Sequence, residues 1–206
     1  MDSEIVSAVK RGDTVYLEKH LNSENVNEVN EKSENLLMIA TYQNDYTMAS
    51  FLVKNGADPN QQDEIFNSPF LYAGASGYLD LVKLYLAYGA RFDVYNQYGG
   101  TALIPAAEKG FVDVVRLLAH TKNFPINHVN NFGQTALMKA ISMGDGSKNH
   151  VEIVNILIKA GADKNIPDKE GVIAIDHAKN KGFSDIVDLL YWNKFFGVGP
   201  RINLIF

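Results

Sequence analysis

The side chains best suited to acid–base or metal chemistry near neutral pH are five histidines, His20, His120, His128, His150 and His177. No two of them are spaced as metal ligands on one helix face. His120 and His128 approach each other only across the turn TKNFPIN, and two ligands do not define a zinc site. Nucleophilic chemistry fares no better, because the chain has no Cys and no Gly-x-Ser-x-Gly elbow. Asp80, Asp113, Glu152 and Asp185 would suit paired-acid work. Each opens a helical pattern, however, where a carboxylate meets the positive end of the helix dipole. The stretch SMGDGSKNHVEIV (142–154) resembles a loop that cradles phosphate ahead of a helix. GVGP (197–200) is too short to be a nucleotide fingerprint. No catalytic residue, metal site or cofactor is expected.

Bulk properties narrow the classes further. The chain has 206 residues, 46% of them hydrophobic and 21% charged, which suits a folded chain with a sizeable core. Its net charge of −5 argues against a general nucleic-acid binder, which needs a basic face. That charge is uneven. Residues 1–60 hold 10 acids and 5 bases, whereas 61–206 hold 14 of each, so the N-terminal end is acidic. No apolar run approaches the roughly 20 residues of a membrane span. MDSEIVSAVKRGD lacks a signal-peptide core, so a cytoplasmic location is expected, or an exported or periplasmic one if a leader was removed beforehand.

The elements that would position any site repeat along the chain. VKNGADPNQQD, LAYGARFDVYN and IKAGADKNIPD are variants of one phrase, and its last Asn or Asp falls at Asn27, Asn60, Asp93, Asn127 and Asn165. The steps are 33, 33, 34 and 38 residues. Ala40, Ala73, Ala106, Ala140 and Ala178 share those steps, with Ala8 as an earlier start. So do Asn44, Gly77, Gly110, Gly144 and Gly182, preceded by Gly12. Three series with the same irregular steps define a tandem array. Within a unit, a short apolar helix runs from a Thr or Ser N-cap to a Gly. A second helix follows with apolar residues at i, i+3, i+4 and i+7, such as Leu81, Leu84, Tyr85 and Tyr88. The small Ala marks close approach of adjacent units, and stacking makes the core.

With Thr101-Ala-Leu-Ile, Thr135-Ala-Leu-Met, Ser68-Pro-Phe-Leu, GFVDVVRLL (110–118), HVEIVNILI (150–158) and the Gly-Ala-Asp turns at 56–58 and 161–163, the chain resembles ankyrin-repeat proteins of bacterial type. The resemblance implies an all-α solenoid of about six stacked helix-turn-helix units with β-hairpin-like loops. The units run about 1–29, 30–62, 63–95, 96–129, 130–167 and 168–190, followed by a capping tail at 191–206. Met38, Leu71, Ile104, Met138 and Asp176 stand where the family motif has His, so cohesion is expected to lean on apolar packing. The resemblance also implies a non-enzymatic, monomeric scaffold that binds a partner protein through a concave face of loop tips and inner helices.

Binding is then carried by positions that the fold does not dictate. Ile65, Phe66, Tyr95, Tyr98 and Phe132 are large apolar side chains on the loop tips. Phe66 stands where sister loops have Gly99, Gly133 and Gly171. Tyr42, Glu108, Lys109 and Met143 are expected on the inner helices of the same face. The rings could equally staple neighbouring tips together. A competing function is a small-ligand or metabolite sensor, suggested by a lengthened turn at 119–127 and extra residues at 145–149. In repeat register Asp145 to Asn149 are an insertion between paired helices, which removes the strand-then-loop context of a phosphate loop. Titration with inorganic phosphate or ATP should therefore leave the Gly146 and Ser147 amide resonances unshifted.

Overall fold

A computed structural model describes residues 1–195, which form twelve α-helices in six antiparallel pairs. These are α1 (Ser3–Arg11) with α2 (Thr14–His20), α3 (Leu36–Tyr42) with α4 (Tyr46–Lys54), and α5 (Pro69–Ala75) with α6 (Leu79–Ala87). Then come α7 (Leu103–Glu108) with α8 (Val112–Ala119), α9 (Ala136–Ser142) with α10 (Lys148–Lys159), and α11 (Ala174–Asn180) with α12 (Ser184–Phe195). The capping tail expected from 191 onward overlaps the end of α12 and otherwise lies outside the described residues.

Side-chain caps start the first helices where the repeat predicts them. Asn35, Ser68 and Thr135 accept from the backbone N–H three residues ahead. Thr101 does not cap, contrary to the expectation for TALI. α7 begins two residues later, and the buried Thr101 hydroxyl has no partner. Pro105 is the cause: it has no N–H and its ring crowds the carbonyl four residues back. That carbonyl instead accepts from Ile104 N–H in a tighter turn.

Ala8, Ala40, Ala73, Ala106, Ala140 and Ala178 are all fully buried, as close approach of the units requires. Around them one apolar core runs unbroken from Ile5 to Leu190. One buried polar chain crosses it. The Tyr85 and Thr41 hydroxyls lie 2.6 Å apart, and Thr41 donates to the Leu37 carbonyl. Burial pushes the Tyr85 phenol well above its ordinary pKa.

Cohesion is more polar than the missing histidines suggest. Each loop tip is clasped by one side chain, at Asn30, Asp63, Asn96, Asn130 and Asp168. Its Oδ1 accepts from the backbone N–H groups two and four residues ahead. These loops pair too little backbone to form a β-ladder. Among the described residues the one isolated bridge is Val29 with Asn35. Neighbouring tips are joined by Glu64 N–H to the Lys32 carbonyl, by Gln62 to the Tyr95 carbonyl and by Asn131 N–H to the Tyr98 carbonyl. The phrase-ending amides add a second line. Asn27 and Asn60 donate to the Gly56 and Gly89 carbonyls and accept from Asp58 and Arg91 N–H, and Asn127 accepts from Asp163 N–H. Asp93 breaks this line: it has no amide, and both its oxygens bind Arg91 within its own turn.

The insertion differs from its expected form. Lys148 and Asn149 are helical, so α10 starts earlier than its sister helices. α9 ends at Met143 in a right-handed conformation, and the left-handed residue of the turn is Gly146 (φ 71°), directly before the α10 cap Ser147, not Gly144. Gly144 is small for another reason, since a Cβ there would run into the Ala140 carbonyl and the His150 ring.

Replacing Tyr85 by Phe should cost about 1 kcal/mol, because Thr41 keeps its carbonyl acceptor. Replacing Thr41 by Val should cost more, about 1–3 kcal/mol, because it strands the buried phenol. Urea unfolding of the two variants measures the difference.

Candidate protein-binding surface

The tips and the inner helices α5, α7 and α9 enclose a cleft of about 570 Å³ centred on the fourth unit. Its floor is low because Ala75, Gly100 and Pro105 are small or lack a flexible side chain. Tyr98 and Phe132 form the rim, with ring centroids 6.0 Å apart, and Tyr72 forms an inner wall. Glu108 and Lys139 cross it as an ion pair at 3.2 Å, and Lys109 lies beside them.

Four of the residues expected to contact a partner, Tyr98, Glu108, Lys109 and Phe132, meet in this cleft. Lys109 is partly committed to the fold, since its Nζ donates to the Ala75 carbonyl at 2.7 Å. Tyr42 lies outside the cleft and is half-buried. Its phenol donates to Asp63 Oδ2 at 3.1 Å and its ring meets Tyr72 edge-on. Burial, followed by the Asp63 charge, raises its pKa well above the ordinary phenol value. Met143 is exposed at the end of α9. Tyr95 stacks on His128 of the next loop with centroids 4.3 Å apart, and His128 Nε2 donates to the Gly99 carbonyl. Stapling thus accounts for Tyr95, while Ile65, Phe66, Tyr98 and Phe132 remain 48–57% exposed.

Phe66 carries a second signature. Its φ of 61° is left-handed, a conformation that costs a bulky side chain energy and that Gly99, Gly133 and Gly171 fill freely in sister tips. A strained, exposed aromatic at a glycine position is a local rule broken without a packing return.

Sequence counting missed Tyr72 and Lys139. Glu108, Lys109 and Met143 lie seven or eight residues beyond Thr101 and Thr135, whereas Tyr72 and Lys139 lie four beyond Ser68 and Thr135. Positions i+4 and i+8 share one helix face, so the signal was available.

His150 and His177 make their hydrogen bonds within the fold. His150 is buried, with Nδ1 facing Asp145 at 2.7 Å and Nε2 facing the Glu108 carbonyl at 3.0 Å. Ser147 lies on the same ring nitrogen as Asp145, at 3.3 Å. A nucleophilic relay needs the hydroxyl and the carboxylate on opposite nitrogens. Hydrogen bonds from Ser147, then from His150, hold Asp145 well below the usual carboxylate range. His177 pairs with Asp168 at 2.7 Å. Among the described residues, no group of three or more His, Asp and Glu is placed to hold a metal. Likewise, no helix among them is long and apolar enough to cross a membrane.

Stacked helix pairs with clasped, projecting tips define a solenoid repeat protein whose rigid face is free to vary. A family model of ankyrin repeats (3 copies) matches residues 70–168 and 125–202, and a single ankyrin repeat matches 34–64, so the chain belongs to the ankyrin-repeat family. The ankyrin repeat protein YahD of Escherichia coli (strain K12) is 32% identical over 166 residues, covering 80% of this chain and 82% of that protein. An ankyrin repeat domain from Acinetobacter baumannii AYE superposes with a TM-score of 0.89 at 41% identity, covering 93% of this chain and 97% of that one. The ankyrin repeat protein EF0377 gives 0.85 at 37%, covering 90% and 95%. Repeats of this family generally mediate protein–protein interaction and are typically not enzymes.

Replacing Phe66 by Gly should stabilise the fold by roughly 1 kcal/mol, by relieving the left-handed strain. A raised thermal midpoint checks this. A fall would mean that the ring packs on its neighbours.

Proposed function

We propose that this chain is a monomeric protein-binding scaffold that seats an exposed segment of a partner protein in the cleft between its tips and inner helices. One observation carries the reading. Tyr98 and Phe132, each 53% exposed, stand on clasped, hydrogen-bonded loops and line a concavity of about 570 Å³. Rigid aromatics bury large areas at small entropic cost, which makes them anchors for association. The tips are held by backbone bonds to their neighbours, so little ordering remains for a partner to impose.

The metabolite-sensor reading has less to support it. The lengthened turn at 119–127 fills its own space with Phe124, which is buried against Phe92. The insertion packs elsewhere, with Gly146 against the Phe183 ring and His150 against α7.

A photo-crosslinking residue at Phe132 should give discrete adducts in a lysate of the source organism, whereas the same residue at Tyr46, exposed on the outer helix α4, should not. Adducts from Tyr46 alone, or equal patterns from both sites, would move binding off this face.

A further inference from the structure

The five tip clasps use Oδ1 alike, but they differ in their second terminal atom. Asn30 Nδ2 donates to Glu34 at 2.7 Å. Asp63 Oδ2 accepts from the Tyr42 phenol, and Asp168 Oδ2 faces His177. These three clasps are satisfied within the fold. In Asn96 and Asn130, Nδ2 has no hydrogen-bond partner among the described residues, and both residues line the cleft. At each, Oδ1 is fixed as the acceptor by two backbone N–H groups, which assigns the amide hydrogens to the other atom. Two residues with spare amide donors, on adjacent units, therefore line the cleft together with Tyr98 and Phe132.

The local charge has the same preference. Lys109 and Lys139 face one carboxylate, Glu108, giving this cleft a net positive charge on a chain whose total is −5. Only 15% of the Lys139 side chain is exposed, so its charge is weakly screened. An incoming cation would find only Glu108, already held by Lys139. An incoming carboxylate would find two amide donors and the one positive charge that Glu108 leaves uncompensated between Lys109 and Lys139. Hydrogen bonds to an ionised acceptor are about twice as strong as neutral ones.

We infer that the cleft recognises an acidic peptide segment of the partner. A side-chain carboxylate accepts from the Asn96 and Asn130 amides beside Lys139, and a neighbouring aromatic or large aliphatic residue lies against Tyr98 and Phe132. This rests on the cleft being the binding face. The rings supply apolar burial and the donors fix register, a division common to small pockets within larger interfaces.

The probe is a displayed library of random 12-residue peptides, selected on the full chain. Enriched peptides should carry Asp or Glu next to an aromatic or large aliphatic residue. Their affinity, by fluorescence anisotropy, should fall at least about tenfold in the Asn96→Asp/Asn130→Asp variant. Asp keeps the Oδ1 clasp, as Asp63 and Asp168 do in their own tips, so the thermal midpoint should hold. Should that variant fail to fold, Lys139→Gln tests the same contact and should also weaken binding. Enriched peptides without acids, affinities within twofold of wild type, or no enrichment at all would overturn the inference. Free glutarate displacing the peptide at equal concentration would overturn it too, by assigning the donors to a small carboxylate. Phe132 crosslinking reads the binding face independently of the donors, so the two readings fail separately.

Discussion

Everything in this protein depends on six alanines that let neighbouring helix pairs touch. A helix pair of this size has too little apolar surface to stand alone, and its stability comes from the surface it shares with the next pair. With Cβ as the largest group at Ala8, Ala40, Ala73, Ala106, Ala140 and Ala178, all fully buried, adjacent units approach closely enough for the polar lines to form. The Asn27 and Asn60 bonds to the following turn, and the backbone bonds between tips, need that spacing held within a few tenths of an ångström. The tips project in a fixed row because the alanines set the pitch beneath them.

The fold was legible in the sequence because the repeat multiplies weak local signals. One Thr or Ser before an apolar run says little, but Ser68, Thr101 and Thr135 in register with the alanines fix helix order and unit length. Individual exceptions were harder to read. Thr101 fails as a cap through a clash of Pro105 with a carbonyl, a backbone effect that depends on where the helix starts. The insertion was found by its length, yet its left-handed residue is Gly146, while Gly144 is small because a side chain there would meet the Ala140 carbonyl and the His150 ring. Proximities of that kind are absent from any spacing rule.

The candidate surface was half legible for a related reason. Tip aromatics stand out because loops rarely need them, and Tyr98 and Phe132 do line the cleft. What the sequence hid was which ends of which side chains the fold had already used. Tyr42 and Tyr95 look like anchors until their partners, Asp63 and His128, come into view. Asn96 and Asn130 look like turn residues until the unused half of each amide is counted. A repeat protein satisfies its polar groups by rote, so a unit that departs from the pattern has left something over.

The break at Asp93 gives the array a fault line. Between the third and fourth units the amide rung is missing, and the join there includes the Phe92–Phe124 ring contact and the Lys109 bond to the Ala75 carbonyl. Ring contacts tolerate sliding that a fixed hydrogen bond does not. The cleft has walls on both sides of that join, from Asn67 and Tyr72 across to Lys139. A segment seated there as proposed would act as a splint, tying the acidic N-terminal units to the rest at the place where the chain itself left out a bolt.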